Sequence, residues 1–429
     1  MATEPLPQET IRVDVSFFSD EDRRGLLRYP TAETLEKVTT EPIQISTAEF
    51  LTYYLFHRQR LGTPGYRDYS TVGRKLNVAL TALADCVEFT EHSVITAEGV
   101  VHQLNEITEH VGEAIGLSVM NKIHDITEAD WQIIPASSGR GAKPSFDFEL
   151  ASDNHNLIEV ENKGSSVKDN RTPDENVKTH KRNIAAKKEK LKALDSDDEN
   201  GSSVSLRYGT ITALDRRKDG NVRCWLTDPP AEVALNPRRF RLIQRMRFLR
   251  DWISFISPRS HLAVALATRV AALEALQNPF ELNRVPLLRG NREPFALVPF
   301  DGYEHSRFLA GKSKIIDGPA GGEIVRVSDR ALFLLGIREE LLVIAAEQDF
   351  ERLLAYKAST GTLDKVVACN VSSSRARTIG LPEYVLEDGQ RRLSTVRFRA
   401  RGSIQYSPGG LVFGVIPMET ITGSREEFR

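Results

Sequence analysis

Between Phe146 and Ser165 the chain moves to a two-residue period, and this stretch restricts its fold more tightly than any other. Phe146 to Leu150 and Leu157 to Glu161 alternate apolar and acidic residues on either side of a polar connection, Ala151 to Asn156. Period two marks a half-buried strand, and two such runs joined by a polar segment predict a β-hairpin. A lone hairpin cannot bury its apolar face, so other elements must cover it. The flanks offer them. Leu104, Ile107, Val111, Ala114, Ile115 and Val119 recur at helical spacing in a unit that opens near Ala97. Trp131 to Pro135 predicts a strand, and Ser137 to Gly141 a polar loop. Beyond the hairpin, Val177, Ile184 and Leu191 stand seven residues apart along a basic helix, Lys178 to Lys192. Ser203 to Thr212 and Val222 to Thr227 predict a second hairpin around Asp219-Gly220-Asn221. The expected class is α/β of the α+β kind, a mixed sheet flanked by helices.

At 429 residues the chain is long enough for two or three cores. Four regions are expected. Residues 1–96 read as a mainly helical N-terminal region, with helices at Ala48 to Gln59 and Thr71 to Cys86. Residues 97–235 hold the hairpins, and 236–277 form a basic helical connector. Residues 278–429 read as a C-terminal α/β domain for target or partner recognition. In it Val325 to Val327, Leu341 to Ala345 and Lys365 to Val371 are strand-like, and Asp349 to Ala358 is helical. No apolar run is long enough to span a bilayer, so no membrane is expected as a partner. Three scattered cysteines argue against a disulfide framework and for a cytoplasmic address.

The chemistry concentrates on the first hairpin. Asp147 and Glu149 share one strand face; Glu159, Glu161 and Lys163 share a face of the next strand. A register with Phe148 against Val160 and Leu150 against Ile158 would set Asp147 opposite Glu161 and Glu149 opposite Glu159. Opposed carboxylates repel unless they are solvated, protonated or bridged by a cation. Hard oxygen ligands of this kind suit Mg2+ or Mn2+. Lys163 adds a point charge for a water or a phosphate oxygen. The plain alternative is a polar outer face on an ordinary hairpin. Against it stand Pro144 and a glycine-rich loop before Asp147, and Gly164-Ser165 directly after Lys163.

Pro144-Ser-Phe-Asp147 followed by Glu161-Asn-Lys163-Gly-Ser165 resembles the PD-(D/E)xK nuclease superfamily, the restriction-endonuclease-like fold. The resemblance covers roughly residues 97–230 and departs from the strict Pro-Asp pair, while the order of helix, strand, hairpin and helix agrees with it. It implies a central mixed sheet flanked by helices and a metal-dependent phosphodiesterase. Asp147 and Glu161 would bind the metal, Lys163 would position or activate the attacking water, and Glu113 on the preceding helix would support the metal. Glu159 and Glu149 are further supporting candidates. A competing register makes Glu159 and Glu161 the ligand pair and leaves Lys163 outside. By analogy, extra domains around such a core fit a DNA endonuclease of bacterial restriction or antiphage defence. The alternative is an inactive nuclease-like module that binds nucleic acid or a partner.

The net charge of −2 hides basic runs. Lys178, Lys181, Arg182 and Lys188 on one helix, and Arg238, Arg241 and Arg245 on another, are candidate nucleic-acid contacts, with DNA the favoured polymer. A solvated helix face is the default for any charge run. Arg397, Arg399 and Arg401 line one strand face, which either binds nucleic acid or pairs with the acids of Glu383 to Asp388. The N- and C-terminal regions are the candidates for a homodimer or partner contact. Gly311-Lys312-Ser313 lacks the earlier glycine of a phosphate loop and is read as a plain loop.

Overall fold

The computed structural model describes residues 10–57, 69–90, 93–97, 104–132, 148–195, 206–217, 221–227, 237–256, 261–275, 320–338, 340–341, 343–344, 349–388, 391–392 and 395–423. Helices and strands of both pairing senses make it an α+β protein. It divides into two compact units. One comprises Glu9–Arg58 and Ala82–Gln244; the other comprises Met1–Gln8, Gln59–Thr81 and Arg245–Arg429.

The first unit is built on a six-stranded sheet of order β2-β1-β8-β7-β6-β5. Its strands are β1 (Thr10–Phe17), β2 (Ile43–Ser46), β5 (Phe148–Ser152), β6 (Leu157–Val167), β7 (Leu206–Asp215) and β8 (Val222–Thr227). A small hairpin, β3 (Val87–Phe89) and β4 (Val94–Thr96), stands apart from this order. Its helices are α1 (Asp20–Leu26), α2 (Ala32–Thr40), α3 (Thr47–Thr52), α5 (Leu104–His124) and α6 (Glu175–Asp195), while most of α4 (Tyr69–Cys86) belongs to the other unit. A π turn, Tyr53–His57, continues α3. β5 and β6 are antiparallel, α6 carries the chain back, and β7 then runs parallel to β6. Parallel strands need such a crossover.

Residues 1–96 were expected as a separate, mainly helical region. Instead β1 pairs in parallel with β8, with Val13 opposite Val222 and Phe17 opposite Leu226. The expected boundary at residue 96 therefore falls inside one unit. β1 has a clear period of two, with Ile11, Val13 and Val15 all buried. Its partner lies two hundred residues away, and local patterning does not reveal pairing at that separation.

β6 is an inner strand with helices on both faces. Asn162 and Gly164 face α5. A Cβ on Gly112 would stand 2.3 Å from Gly164 Cα, and one on Gly116 would stand 2.2 Å from Asn162 Oδ1. The other face carries Glu159, Glu161, Lys163, Ser165 and Val167. There Val167, Ile211, Ala213 and Trp225 form a core with Val177 and Ile184 of α6. A Cβ at Gly164 would lie 1.8 Å from the Thr108 carbonyl oxygen, so backbone must move. Gly164→Ala should cost about 1–3 kcal/mol or more. A urea midpoint unchanged from wild type would contradict this packing.

The second unit contains a five-stranded antiparallel sheet. Its order is Gly361–Ser372, Thr395–Tyr406, Leu411–Pro417, Ala331–Arg338, Ala320–Arg326. Ile324, Leu334, Val367, Phe398, Ile404 and Ile416 belong to its core. The expected helix near Asp349 is present as Phe350–Ala355, capped by the Asp349 side chain. Leu341 and residues 343–344, expected in a strand, are helical. A short apolar run fits either state, and the period cannot decide between them. Gly311-Lys312-Ser313 lies outside the described residues. Cys86, Cys224 and Cys369 are free and buried. Among the described residues no helix is long and apolar enough to cross a membrane.

Candidate functional site

β6 brings the second half of the motif together. Lys163 Nζ lies 2.8 Å from Glu161 Oε1. The Glu161 side chain is fully buried, and Lys163 keeps 17% of its surface exposed. One strand interval separates them on a shared face, the i, i+2 relation that alternation requires. Glu159, next on that face, receives a 2.7 Å hydrogen bond from Arg207 Nε. Arg207 is its register partner on β7. Each carboxylate thus has a cation beside it, which offsets the repulsion of two acids on one strand.

The hairpin register differs by one residue from expectation. Phe148 pairs with Glu161, Glu149 with Val160 and Leu150 with Glu159. Glu149 therefore does not stand opposite Glu159, and Phe148 rather than Asp147 holds the place opposite Glu161. The expected register assumed one apolar and one solvated face. β6 has a covered face on both sides, so burial alone does not select between the two registers. Asp147 lies outside the described residues.

Glu113 is buried on α5, and its Oε1 lies 4.0 Å from His57 Nε2 of the π turn. Gly112, its neighbour, makes the contact with β6. Among the described residues no group of three His, Cys, Asp or Glu could hold a metal ion. Glu113 is thus not brought into one ligand set with Glu161 by the residues described. A set that fits Mg2+ or Mn2+ requires Asp147 beside Glu161; the hard carboxylate of Glu161 is of the right chemical type.

The basic candidates divide into two kinds. Arg241 is buried and binds both carboxylate oxygens of Asp130, through Nε at 2.8 Å and Nη2 at 3.2 Å. Arg245 is buried and donates to the carbonyl oxygens of Leu353 and Tyr356, the latter at 2.8 Å. Both are corrected from nucleic-acid contacts to internal braces. Arginine in a basic run can satisfy backbone carbonyls as well as phosphates, and composition does not separate the two uses. On α6, Lys178 pairs with Glu175 at 2.8 Å on the surface. Arg182 donates to Thr179 and is exposed. Lys181 donates to Asp22 of α1. The side chain of Lys188 is outside the described set, and Arg238 is half-buried near the start of the helix Pro237–Ile256. In the second unit Arg401 pairs with Asp364 at 2.7 Å.

Two buried polar groupings gave no sequence signal. His124, at the end of α5, has Nδ1 3.0 Å from Asp153 Oδ2 and Nε2 3.1 Å from Tyr208 Oη. Asp153 also accepts from the Asn156 backbone N–H in the β5–β6 turn. Elsewhere Asn121 accepts from Tyr53 Oη and Trp131 Nε1 and donates to Glu49 at 2.7 Å. Partners so far apart in sequence leave no local spacing to read. For Asp153, burial alone would raise the pKa, but the His124 hydrogen bond and charge and the Asn156 bonds outweigh it and hold it at about 2. A depressed folded pKa adds stability above the ordinary value, lost as pH falls toward about 2. Asp153→Asn should therefore lie about 2 kcal/mol below wild type at pH 5, closing by pH 2. Urea midpoints taken across that range check it; a gap that does not change with pH would contradict it.

No family model, curated protein or solved structure matches this chain.

Proposed function

We propose that this chain is a metal-dependent nuclease that hydrolyses phosphodiester bonds, acting on DNA as an endonuclease of the bacterial restriction or antiphage type in a cytoplasmic setting. The observation that carries the reading is the Glu161–Lys163 pair, a buried carboxylate and a partly exposed amine 2.8 Å apart on one strand face. The order α5, hairpin, α6 and a parallel β7 supports it. Asp147 and Glu161 would hold Mg2+ or Mn2+, which when bound supplies Lewis acidity and a lowered water pKa. Lys163 orients the attacking water toward phosphorus and offsets the charge that builds on the phosphate oxygens. The exposed cations of α6, Lys178 and Arg182, hold the neighbouring backbone by charge.

A second reading has its own observation. Glu159 and Glu161 each have a cation at hydrogen-bond distance, Arg207 and Lys163. Such a neutralised row suits a nuclease-like module that binds nucleic acid without cutting it. The experiment is incubation of supercoiled plasmid with wild type in Mg2+ and in chelator, with a salt titration of binding alongside. Nicking that depends on Mg2+ and is lost in Asp147→Ala supports the nuclease. Salt-sensitive binding with no cleavage supports the module.

A further inference from the structure

α6 lies on the Glu161–Lys163 face of the sheet, and its register over that face can be worked out. A Cβ on Gly209 would lie 2.9 Å from Ile184 Cγ2. Gly209 is the register partner of Glu161, so Ile184 stands over the Glu161 level. β6 and β7 are parallel and α6 joins them, so the helix runs back along β6. His180 precedes Ile184 by one turn, about 6 Å along the axis. Two strand residues span about 6.6 Å, which sets His180 level with Lys163.

The lateral direction follows from Lys181. Its ammonium reaches Asp22 and lies 5.4 Å from the centre of the Phe18 ring, at the end of β1. Successive helical residues are about 100° apart, so His180 turns the other way. In the sheet order that is from β7 toward β6. The electrostatics agree. Burial first, and then the charge of Lys163, hold His180 below its ordinary value, while Glu109 of α5 and Asp174 pull the opposite way. The side chain is half-buried, so one edge of the ring stays open.

We propose that His180 is a phosphate-contacting residue of the same site, its imidazole N–H donating from α6 to a non-bridging oxygen of a phosphodiester whose phosphate Lys163 holds from β6. The inference rests on the nuclease reading for its effect on rate, while the contact itself requires only that a phosphodiester binds there. Strand and helix then grip one phosphate from two directions, and a neutral donor beside an ammonium avoids the repulsion of two cations. A hydrogen bond to a charged oxygen supports a loss of about 10–100-fold in kcat for His180→Ala. His180→Gln keeps an N–H donor and should recover part of that loss.

The test uses the full chain with 13C-labelled histidine, the His180 signal being assigned from His180→Gln. A short DNA duplex is added with Ca2+ in place of Mg2+, and plasmid cleavage in Mg2+ is measured in parallel. The His180 signal is expected to shift with the duplex, and His180→Ala to lose activity. A shifted signal with no cleavage by wild type removes the nuclease reading and leaves the contact standing. Cleavage by wild type with an unmoved signal, or with His180→Ala at full rate, overturns the role of His180 and leaves the nuclease. A duplex that does not bind overturns both.

Discussion

Lys163→Met should destabilise the protein by about 3–5 kcal/mol, the usual cost of breaking a buried ion pair from one side. The reason is geometric. Glu161 is fully buried on an inner strand, with Lys163 Nζ at 2.8 Å. Removing the ammonium leaves the buried carboxylate without the charge that balances it at 2.8 Å. The double variant Glu161→Leu/Lys163→Met should recover most of the loss, because replacing both charges by apolar groups of similar size is often neutral. Urea unfolding of the two single variants and the double gives the coupling energy. If the losses simply add, the pair does not behave as one buried unit and the geometry at Glu161 is wrong.

The second large effect is on cleavage. Asp147→Ala and Lys163→Met should each lower the rate of plasmid nicking by about 10²–10⁴-fold, the range for losing a positioned catalytic group. The two should fail differently. On the nuclease proposal Asp147→Ala would remove a metal ligand, so part of its loss should return at higher Mg2+. Lys163→Met would remove the proposed water-orienting group, so added metal should not restore it. Activity assayed against Mg2+ concentration for both variants separates these roles. Equal rescue of both by metal would contradict the division of labour.

Much of the site-bearing unit was legible because its elements declare themselves locally. The apolar steps from Leu104 to Val119 mark α5, and it runs Leu104–His124. The second hairpin is present as β7 and β8, antiparallel, with Thr212 opposite Cys224. Both positions of the motif on β6, Glu161 and Lys163, share a face as strand alternation requires. What was not legible depends on partners distant in the chain. The parallel pairing of β1 with β8 is one case. The one-residue difference in the β5–β6 register is another, since it follows from helices covering both faces of β6. Arg241 and Arg245 illustrate a third: six arginines between Arg238 and Arg250 resemble a phosphate-binding face, yet these two serve Asp130 and backbone carbonyls. Charge type is visible in a sequence, whereas the group that answers it is set by packing.

Plasmid cleavage in Mg2+ by wild type and by Glu161→Leu/Lys163→Met, each checked for unfolding midpoint on the same preparation, decides whether the Glu161–Lys163 pair cuts phosphodiesters. The double variant is chosen because it should keep its fold, so lost activity cannot be assigned to unfolding. Wild type should nick the plasmid, and the double variant should show no nicking above background at a similar midpoint. Nicking by the folded double variant at the wild-type rate would contradict that role for the pair.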